Sequence, residues 1–447
     1  MTAPSPQPIQ STQSTQSTQS THPDDTQAPS RPTARRAIAV ASIGNALEFF
    51  DLALYALMAS YIGRTFFPGG NPGVQLVQAY AVFGVTYLIR PLGGLLLGAY
   101  ADRNGRKKAL VLSIRLMVLG TALLALMPGY ATLGIASTLG IVLARLIQGF
   151  AAGGEFGAAT SFLVEQDERR KSFLGSFQFA SQGLSTLLAA GFAAVLTAVL
   201  SDAQMTSWGW RVPFAFGLLI GPVGYFVRRY MDESPALATE LESDAPKPSP
   251  IVSVFRHHWG GLLIAGGALI VSTALNFMLQ YLPTYGIGQL GLDASLSFTA
   301  LLIAGAVLTF VTPLVGLLGD RHGRLRIMIP AAVLIGVSVV PLFLWLNASP
   351  SFLTFAVCTT VLALLKAVYF GTLPSVMADV FPARARATGL SFSYNTTVAL
   401  FGGFTPTIAA ALIEATGSPV APGYYLLCTA VLSTAALTTA LRTHRVQ

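Results

Sequence analysis

One basic loop pattern occurs twice in this chain, each time between stretches long enough to cross a membrane. The first copy reads GAYADRNGRKK at 98–108, and the second reads GLLGDRHGRLR at 316–326. Their aspartates, Asp102 and Asp320, lie 218 positions apart, about half of the 447-residue chain. A loop that recurs once per half predicts a protein built from two related halves.

The composition is that of a membrane protein. Hydrophobic residues make up 53% of the chain and charged residues 10%, where a soluble domain carries about 25% charged residues. Several apolar runs of about 18 residues or more predict an all-α protein that crosses the bilayer many times. The net charge of +8 does not indicate a nucleic-acid partner, because most cations fall in short loops on one side.

The loops also exclude most enzyme classes. They leave no room for a catalytic domain outside the membrane, and all five histidines fall in tails or loops. Without a His/Asp, Ser/His or metal cluster at depth, we expect no enzyme activity, no cofactor and no metal site.

Spans of about 18–25 residues predict twelve transmembrane helices in two groups of six. The first group is expected near 37–62, 76–100, 109–127, 135–164, 173–200 and 210–228, and the second near 259–282, 296–318, 327–346, 351–378, 387–414 and 422–441. The predicted domains are a disordered tail (1–34), a first bundle (35–228), a polar linker (229–256) and a second bundle (257–447).

The cations predict the orientation. Arginine and lysine clusters at 35–36, 103–108, 169–171, 321–326 and 384–386 all fall on one side, whereas the other side carries little beyond Arg64 and Arg211. Positively charged loops stay in the cytoplasm. Both termini and the linker are therefore predicted to be cytoplasmic, in a bacterial-type inner membrane.

Polar residues within the spans of the first half are candidates for function, because an ionisable side chain in hydrocarbon is expensive. They are Glu48 and Asp51 in the first helix, Tyr87 and Arg90 in the second, Arg145, Gln148 and Glu155 in the fourth, and Gln182 in the fifth. Glu48 lies roughly 17 Å along its helix, near the midplane. The alternative for Arg90 is a standing pair with Glu48 or Asp51, and for Gln182 a bridge between helices.

The second half contributes a further cation at depth. Lys366 lies thirteen residues before Asp379, near the midplane, and the alternative for it is a lysine kept neutral by burial. The other candidates are Asn276, Gln280, Tyr369, Tyr394 and Asn395. Guanidinium and ammonium groups from both halves that face one crevice suit a di- or tricarboxylate.

Several motifs place the chain in a known family by resemblance. The repeated loop resembles the signature of the major facilitator superfamily. The run GNALEFFD at 44–51, with RPLGG at 90–94, QGFAAGGE at 148–155 and FPARARATG at 381–389, resembles the metabolite:proton symporter family. FGGFTP at 401–406 and PGYY at 422–425 look most like the citrate and tricarballylate symporters, although proline/betaine symporters share part of this pattern.

The resemblance implies import of a small organic acid by proton symport through alternating access, with a proline/betaine-type osmolyte symporter as the alternative. It associates Arg145 with proton coupling. We expect Arg90 and Lys366 to bind the substrate carboxylates, with Arg145 as a further candidate, and we expect the coupled proton on Glu48 or Asp51, with Glu155 a further candidate. It also implies a cytoplasmic gate made of Gly98, Asp102, Arg103, Gly105, Arg106, Asp320, Arg321 and Arg324. The expected partners are the substrate, protons and lipid, with the monomer as the functional unit.

Overall fold

The computed structural model describes residues 31–104, 106–218, 254, 256 and 258–443. The predicted tail (1–34) and linker (229–256) lie almost entirely outside these residues. The first helix begins at Arg31 rather than near residue 37.

All regular structure in the described part of the chain is helical. The first half contains α1 (Arg31–Leu57, continued by Ala59–Phe66), α2 (Pro72–Leu88 and Arg90–Asn104), α3 (Arg106–Leu126), α4 (Ile135–Ala152 and Glu155–Glu165), α5 (Lys171–Val199) and α6, described over 212–218. The second half contains α7 (Trp259–Leu290), α8 (Ala294–His322), α9 (Arg324–Ala348), α10 (Phe352–Phe370 and Leu373–Asp379), α11 (Ala383–Thr397, a π-helical turn Val398–Gly402, and Thr405–Thr416) and α12 (Ala421–Arg442). Short helices Tyr130–Leu133, Glu168–Arg170, Asp202–Ser207 and Gly209–Arg211 lie in the connections.

The predicted fold class is confirmed. Within the described ranges, nine helices are long and apolar enough to cross a membrane, and Val111–Leu126 is a shorter apolar helix. With α1 and α6 they give the twelve helices expected from the sequence.

Several helices are interrupted beside candidate residues. Helix α2 breaks just before Arg90, α4 breaks just before Glu155, and α11 contains its π-helical turn shortly after Asn395. Interrupted helices free backbone groups and turn side chains towards a central site, and π-turns are frequent at functional sites. These breaks place the candidate residues where the helices are least regular.

The two halves pack through small residues. A Cβ atom on Gly183 of α5 would lie 2.7 Å from the Thr309 amide nitrogen of α8, and one on Gly305 would lie 2.6 Å from that of Leu187. Only glycine allows backbones to approach so closely. This contact between α5 and α8 holds the halves together along one side.

Contacts join the halves at both ends. We call the end with the 165–171, 320–326 and 379–386 segments the basic end, and the other the opposite end. At the opposite end, the Tyr80 hydroxyl of α2 lies 3.0 Å from the Thr284 hydroxyl of α7, and Tyr80 packs edge-on against Tyr281. At the basic end, Arg386 pairs with Glu165 at 2.6 Å. Contacts between the halves are therefore present at both ends of the described structure.

Candidate substrate and proton site

Glu48 of α1 and Arg90 of α2 form a buried ion pair. Arg90 Nη2 donates to Glu48 Oε1 at 3.1 Å, and the side chains are 1% and 8% exposed. The break in α2 begins its second segment at Arg90, which turns the guanidinium towards α1. The sequence leaves Glu48 and Asp51 as possible partners for Arg90. In the structure the partner is Glu48.

Aromatic and amide groups from both halves surround this pair. The Arg90 guanidinium lies 4.7 Å from the centre of the Tyr87 ring, and the hydroxyl of Tyr394, from α11, interacts with Arg90 and Gln182. We call Glu48, Tyr87, Arg90, Gln182 and Tyr394 the Arg90 cluster. In this cluster, charged groups of the first half meet Tyr394 of the second half.

Asp51 belongs to a separate group one turn further along α1. Its Oδ2 atom accepts hydrogen bonds from Thr121 Oγ1 at 2.9 Å and from Gln148 Nε2. Gln148 Oε1 accepts in turn from Arg145 Nη1 at 2.8 Å. Arg145 also lies 3.8 Å from the centre of the Tyr55 ring. We call Asp51, Thr121, Arg145 and Gln148 the Asp51 cluster.

Lys366 is the buried basic residue of the second half. Its Nζ donates to Asn276 Oδ1 at 2.6 Å and lies 4.6 Å from the centre of the Phe370 ring. The lysine is 2% exposed, and among the residues that the structure describes no carboxylate pairs with it. Lys366 and Asn276 are called the Lys366 pair.

A row of rings connects the Lys366 pair to the Arg90 cluster across the two halves. Phe370 stacks on Phe179 with centroids 4.0 Å apart, Phe179 lies 6.0 Å from Phe156, and Phe156 stacks on Tyr394 at 3.5 Å. Lys366 lies over the first ring and Arg90 contacts the last. Lys366 and Arg90 therefore lie at opposite ends of one row of aromatic rings.

The remaining predicted site residues lie in different places. Asn395 donates to the Gly153 carbonyl at 2.7 Å across the halves, and Gln280 is buried. The Tyr369 hydroxyl donates to the Ala268 carbonyl at 2.6 Å, so this side chain bridges α10 and α7. Glu155 accepts from Ser113 at 2.8 Å, which ties α4 to α3. Neither Tyr369 nor Glu155 is part of the three groups defined above.

Several buried polar atoms of the predicted site residues have no hydrogen-bond partner within the described chain. They are Arg90 Nε, Arg145 Nε and Nη2, the Tyr87 hydroxyl, Gln182 Nε2, Asp51 Oδ1, Gln280 Oε1 and Asn395 Oδ1. A buried polar group without a partner costs about 1–3 kcal/mol. Three of these atoms, on Tyr87, Arg90 and Gln182, belong to the Arg90 cluster, which indicates a site that a polar ligand can complete.

The basic end carries a second network around the predicted gate residues of the second half. Asp320 accepts from the backbone amides of Ser172 and Phe173 at 2.8 and 2.9 Å. Asp379 pairs with Lys171 at 2.7 Å and with Arg324. An open cavity of about 520 Å³ lies beside them.

For the other predicted gate residues, the structure gives no contact with this network. Arg321 is exposed. The gate residues of the first half, Gly98, Asp102, Arg103, Gly105 and Arg106, have side chains outside the described part of the structure.

Sequence reasoning missed Thr121, which holds both Asp51 and Gln148, and Asp379, which holds the two cations of the basic end. Thr121 lies in an apolar helix without another polar residue nearby, so nothing in its spacing distinguishes it. Asp379 could have been found from the sequence, because it is an acidic residue at the end of a span whose neighbouring loops are basic. That position predicts an ion pair. The aromatic row was also missed, since single phenylalanines in apolar spans carry no pattern.

A family model described as the Major Facilitator Superfamily matches residues 41–318 and 306–446. The chain is 36% identical over 398 residues to a citrate-proton symporter of Klebsiella pneumoniae, covering 88% of this chain and 89% of that protein. It is 33% identical over 410 residues to a proline/betaine transporter of Escherichia coli, covering 89% and 81%.

Solved structures agree on the fold. The xylose transporter XylE from E. coli, in a partially occluded inward-open conformation, superposes with a TM-score of 0.71 at 16% identity, covering 92% of this chain and 97% of that one. A crystal structure of a D-xylose-proton symporter gives a TM-score of 0.72 at 17% identity, covering 90% and 97%.

Proposed function

This chain belongs to the major facilitator superfamily, and we propose that it imports a citrate-like di- or tricarboxylate together with protons by alternating access. Its relatives are transporters, which confirms the prediction that the chain is not an enzyme. The observation that carries the choice of substrate is Lys366, a buried lysine without a carboxylate partner among the described residues; in this proposal it is charged when substrate binds.

The balance of buried charge supports an anionic substrate. The Arg90 and Asp51 clusters each contain one guanidinium and one carboxylate, so their formal charges cancel. Glu155 acts on Arg90, whereas Lys366 has no carboxylate within ion-pair distance among the described residues. Protonation of Glu48 or Asp51 during symport adds a second uncompensated positive charge, and a substrate with two or three carboxylates can neutralise both.

The unpartnered atoms support the same conclusion. Arg90 Nε, the Tyr87 hydroxyl and Gln182 Nε2 are all able to donate hydrogen bonds and lie in one cluster. Carboxylate oxygens only accept hydrogen bonds, and a guanidinium holds a carboxylate with two parallel bonds. In this proposal, Arg90 and Lys366 grip carboxylates from the two halves, with Gln182, Asn276, Tyr87 and Tyr394 beside them.

Alternating access fits the contacts at both ends. Opening of the Tyr80–Thr284 contact gives access from the opposite end, and opening of the Asp379 and Glu165 ion pairs gives access from the basic end. Positive residues favour the cytoplasmic side, so we place the basic end there. Since one chain supplies both halves of the site, we propose that the monomer is the functional unit.

A proline/betaine-type osmolyte symporter is the second candidate, and a second group of aromatic rings favours it. Phe277 of α7 packs edge-on against Phe83 and Tyr87 of α2, with centroids 5.6 and 5.0 Å apart. Rings grouped in this way can hold a quaternary ammonium group by cation–π attraction. Arg90 would then bind the single carboxylate of the zwitterion.

Uptake into proteoliposomes with an imposed proton gradient separates the two candidates. We expect accumulation of labelled citrate that a protonophore abolishes, and no competition by excess glycine betaine. Accumulation of betaine without citrate uptake would establish the second candidate instead. Empty liposomes and liposomes without a pH gradient are the controls.

A further inference from the structure

We propose that Arg115, on the outer face of α3, binds the phosphate group of an anionic phospholipid together with Lys108. The lipid belongs to the leaflet at the basic end, which the proposed orientation makes the cytoplasmic leaflet. The site faces the membrane and does not depend on which substrate the protein carries.

Arg115 lies deep within a membrane-spanning helix. It follows Arg106, the first residue of α3, by nine residues, so its Cα atom lies about 14 Å along the helix axis. It is also part of the apolar segment Val111–Leu126. Half of the hydrocarbon core of a bilayer measures about 15 Å. A charged side chain at this depth is expensive and needs a partner.

The inner face of α3 is on the other side of the helix. Ser113 donates to a backbone carbonyl of α4 at 2.9 Å, and a Cβ atom on Gly120 would lie 2.5 Å from the Gln148 side chain of α4. Arg115 follows Ser113 by two residues, which places it about 200° around the helix. Arg115 therefore points away from the bundle and from the candidate substrate site.

The outer face of α3 is exposed and mostly apolar. Lys108 and Arg115 are both exposed on it, and Leu119 and Leu126, at further steps of four and seven residues, are 48% and 77% exposed. Large apolar side chains that are exposed on a spanning helix face lipid. The two cations therefore stand on a lipid-facing surface.

No acid of the described chain neutralises these cations. Among the residues that the structure describes, no carboxylate lies within ion-pair distance of Lys108 or Arg115. The other basic residues deep within spans, Arg90, Arg145 and Lys366, are buried. Of the lysines and arginines with described side chains, Arg115 alone is exposed more than two turns from both ends of its helix.

The direction of α3 brings both cations towards the same headgroups. The next helix, α4, ends at the basic end, where Glu165 pairs with Arg386, so α3 begins there. Helical side chains lean towards the N-terminus of their helix, and long basic side chains extend to the membrane interface. Arg115 and Lys108 are therefore expected to reach towards the phosphates of this leaflet.

The chemistry of the pair favours a lipid with net negative charge. A guanidinium holds a phosphate with two parallel hydrogen bonds, and Lys108, two turns nearer to the membrane surface, adds a second positive charge. A zwitterionic headgroup would bring its own ammonium group to these two cations. Phosphatidylglycerol, which carries a phosphate and no cation, fits the site better than phosphatidylcholine.

Native mass spectrometry of the purified, delipidated protein tests the proposal by titration with phosphatidylglycerol. We expect Arg115→Gln to bind its first phosphatidylglycerol about tenfold more weakly than the wild type, as for a lost hydrogen bond between charged groups. Arg115→Lys, which keeps the charge but loses the planar fork, should lie between the two. Binding of phosphatidylcholine should be the same in all three proteins.

Two control variants separate this site from general effects of charge and polarity. Arg442→Gln removes another exposed cation, at the end of α12, and Leu119→Gln adds an amide to the same face of α3 without removing a cation. Both should bind phosphatidylglycerol as the wild type does. An equal loss in Arg115→Gln and Arg442→Gln would overturn the proposal, because it would show that only the total charge matters.

Two further results would overturn the proposal in favour of another anion. If inorganic phosphate displaces phosphatidylglycerol from the wild type, Arg115 holds a soluble anion. If the wild type forms dimers without added lipid and Arg115→Gln does not, the counter-ion is an acid of a second copy of the chain. None of these measurements uses transport, so an error in the proposed substrate leaves the test intact.

Discussion

Lys366 of α10 donates from Nζ to Oδ1 of Asn276 in α7 at 2.6 Å, and both side chains are buried. An ammonium group removed from water is expensive unless it is paired, and within the membrane such groups mark substrate or ion pathways. An amide oxygen and the Phe370 ring give only part of the compensation that a carboxylate gives. The pair therefore suits a cation that receives its counter-ion from the substrate.

Replacement of Lys366 by glutamine is expected to weaken binding of a carboxylate substrate by about ten- to one-hundred-fold, since a hydrogen bond to a charged group contributes about 1.5–3 kcal/mol. The apparent KM for uptake measures the change. Arg442→Gln is the control, because Arg442 is exposed at the end of α12 and its loss should leave KM unchanged. An unaltered KM in Lys366→Gln would remove the lysine from the site.

Asn276→Asp tests whether Lys366 must remain free of a fixed anion. The new carboxylate has nearly the same shape as the amide but pairs permanently with the lysine, so it competes with the substrate. We expect a larger loss of apparent affinity than in Asn276→Ser, which cannot form an ion pair. If the serine variant is weaker than the aspartate variant, Asn276 acts by holding the position of Lys366.

Asp379→Asn is expected to open the basic end. It removes the ion pairs with Lys171 and Arg324, which are largely shielded from water. A loss of about 1–2 kcal/mol shifts the equilibrium towards the open state by roughly tenfold. Thiol labelling of Ser375→Cys, in a background with both native cysteines replaced by serine, measures the opening because Ser375 is buried at this end.

The control for that experiment is Asp202→Asn. Asp202 pairs with Arg64 at 2.8 Å, but both side chains are exposed and both belong to the first half. Exposed pairs contribute little to stability, so the labelling rate should not change. Equal labelling in Asp379→Asn and the parent protein would show that other contacts hold the basic end closed.

Gly183→Ala is expected to loosen the contact between α5 and α8. The added Cβ atom would lie 2.7 Å from the Thr309 nitrogen, and overpacking of this kind costs about 1–3 kcal/mol. A lower Tm of the purified protein and slower transport should follow. Gly191→Ala, in the same helix, is the control, because its nearest neighbour is the Leu302 side chain at 3.5 Å; an equal loss in both variants would show that the effect is not specific to this contact.

Sequence reasoning predicted the twelve helices, because the length of an apolar run and the charge of a loop are local properties of the sequence. These properties determine which segments cross a bilayer and in which direction. It also predicted that Glu48, Asp51, Arg90 and Lys366 lie at depth. Helical spacing shows which residues share a face but does not show what that face meets. The separation of Glu48 from Asp51 into two clusters depends on α2, α3, α4 and α11, whose positions no local pattern contains.

Tyr369 illustrates the same limit. It follows Lys366 at a three-residue step and was placed in the substrate site for that reason, yet its hydroxyl donates to the Ala268 carbonyl. On α7, the backbone carbonyl of Ala268 accepts from Tyr369, whereas the side chain of Asn276 accepts from Lys366. Only the packing of α7 against α10 decides this, so a shared face is weak evidence for a shared ligand.

Equilibrium binding of citrate to the purified protein tests the central claim, that cations from both halves hold one carboxylate substrate. The measurement compares the wild type with Arg90→Lys, which keeps the charge but loses the planar fork, and with Lys366→Gln. We expect binding by the wild type and at least about tenfold weaker binding by each variant. Wild-type affinity in either variant, or no binding of citrate by the wild type, would contradict the account.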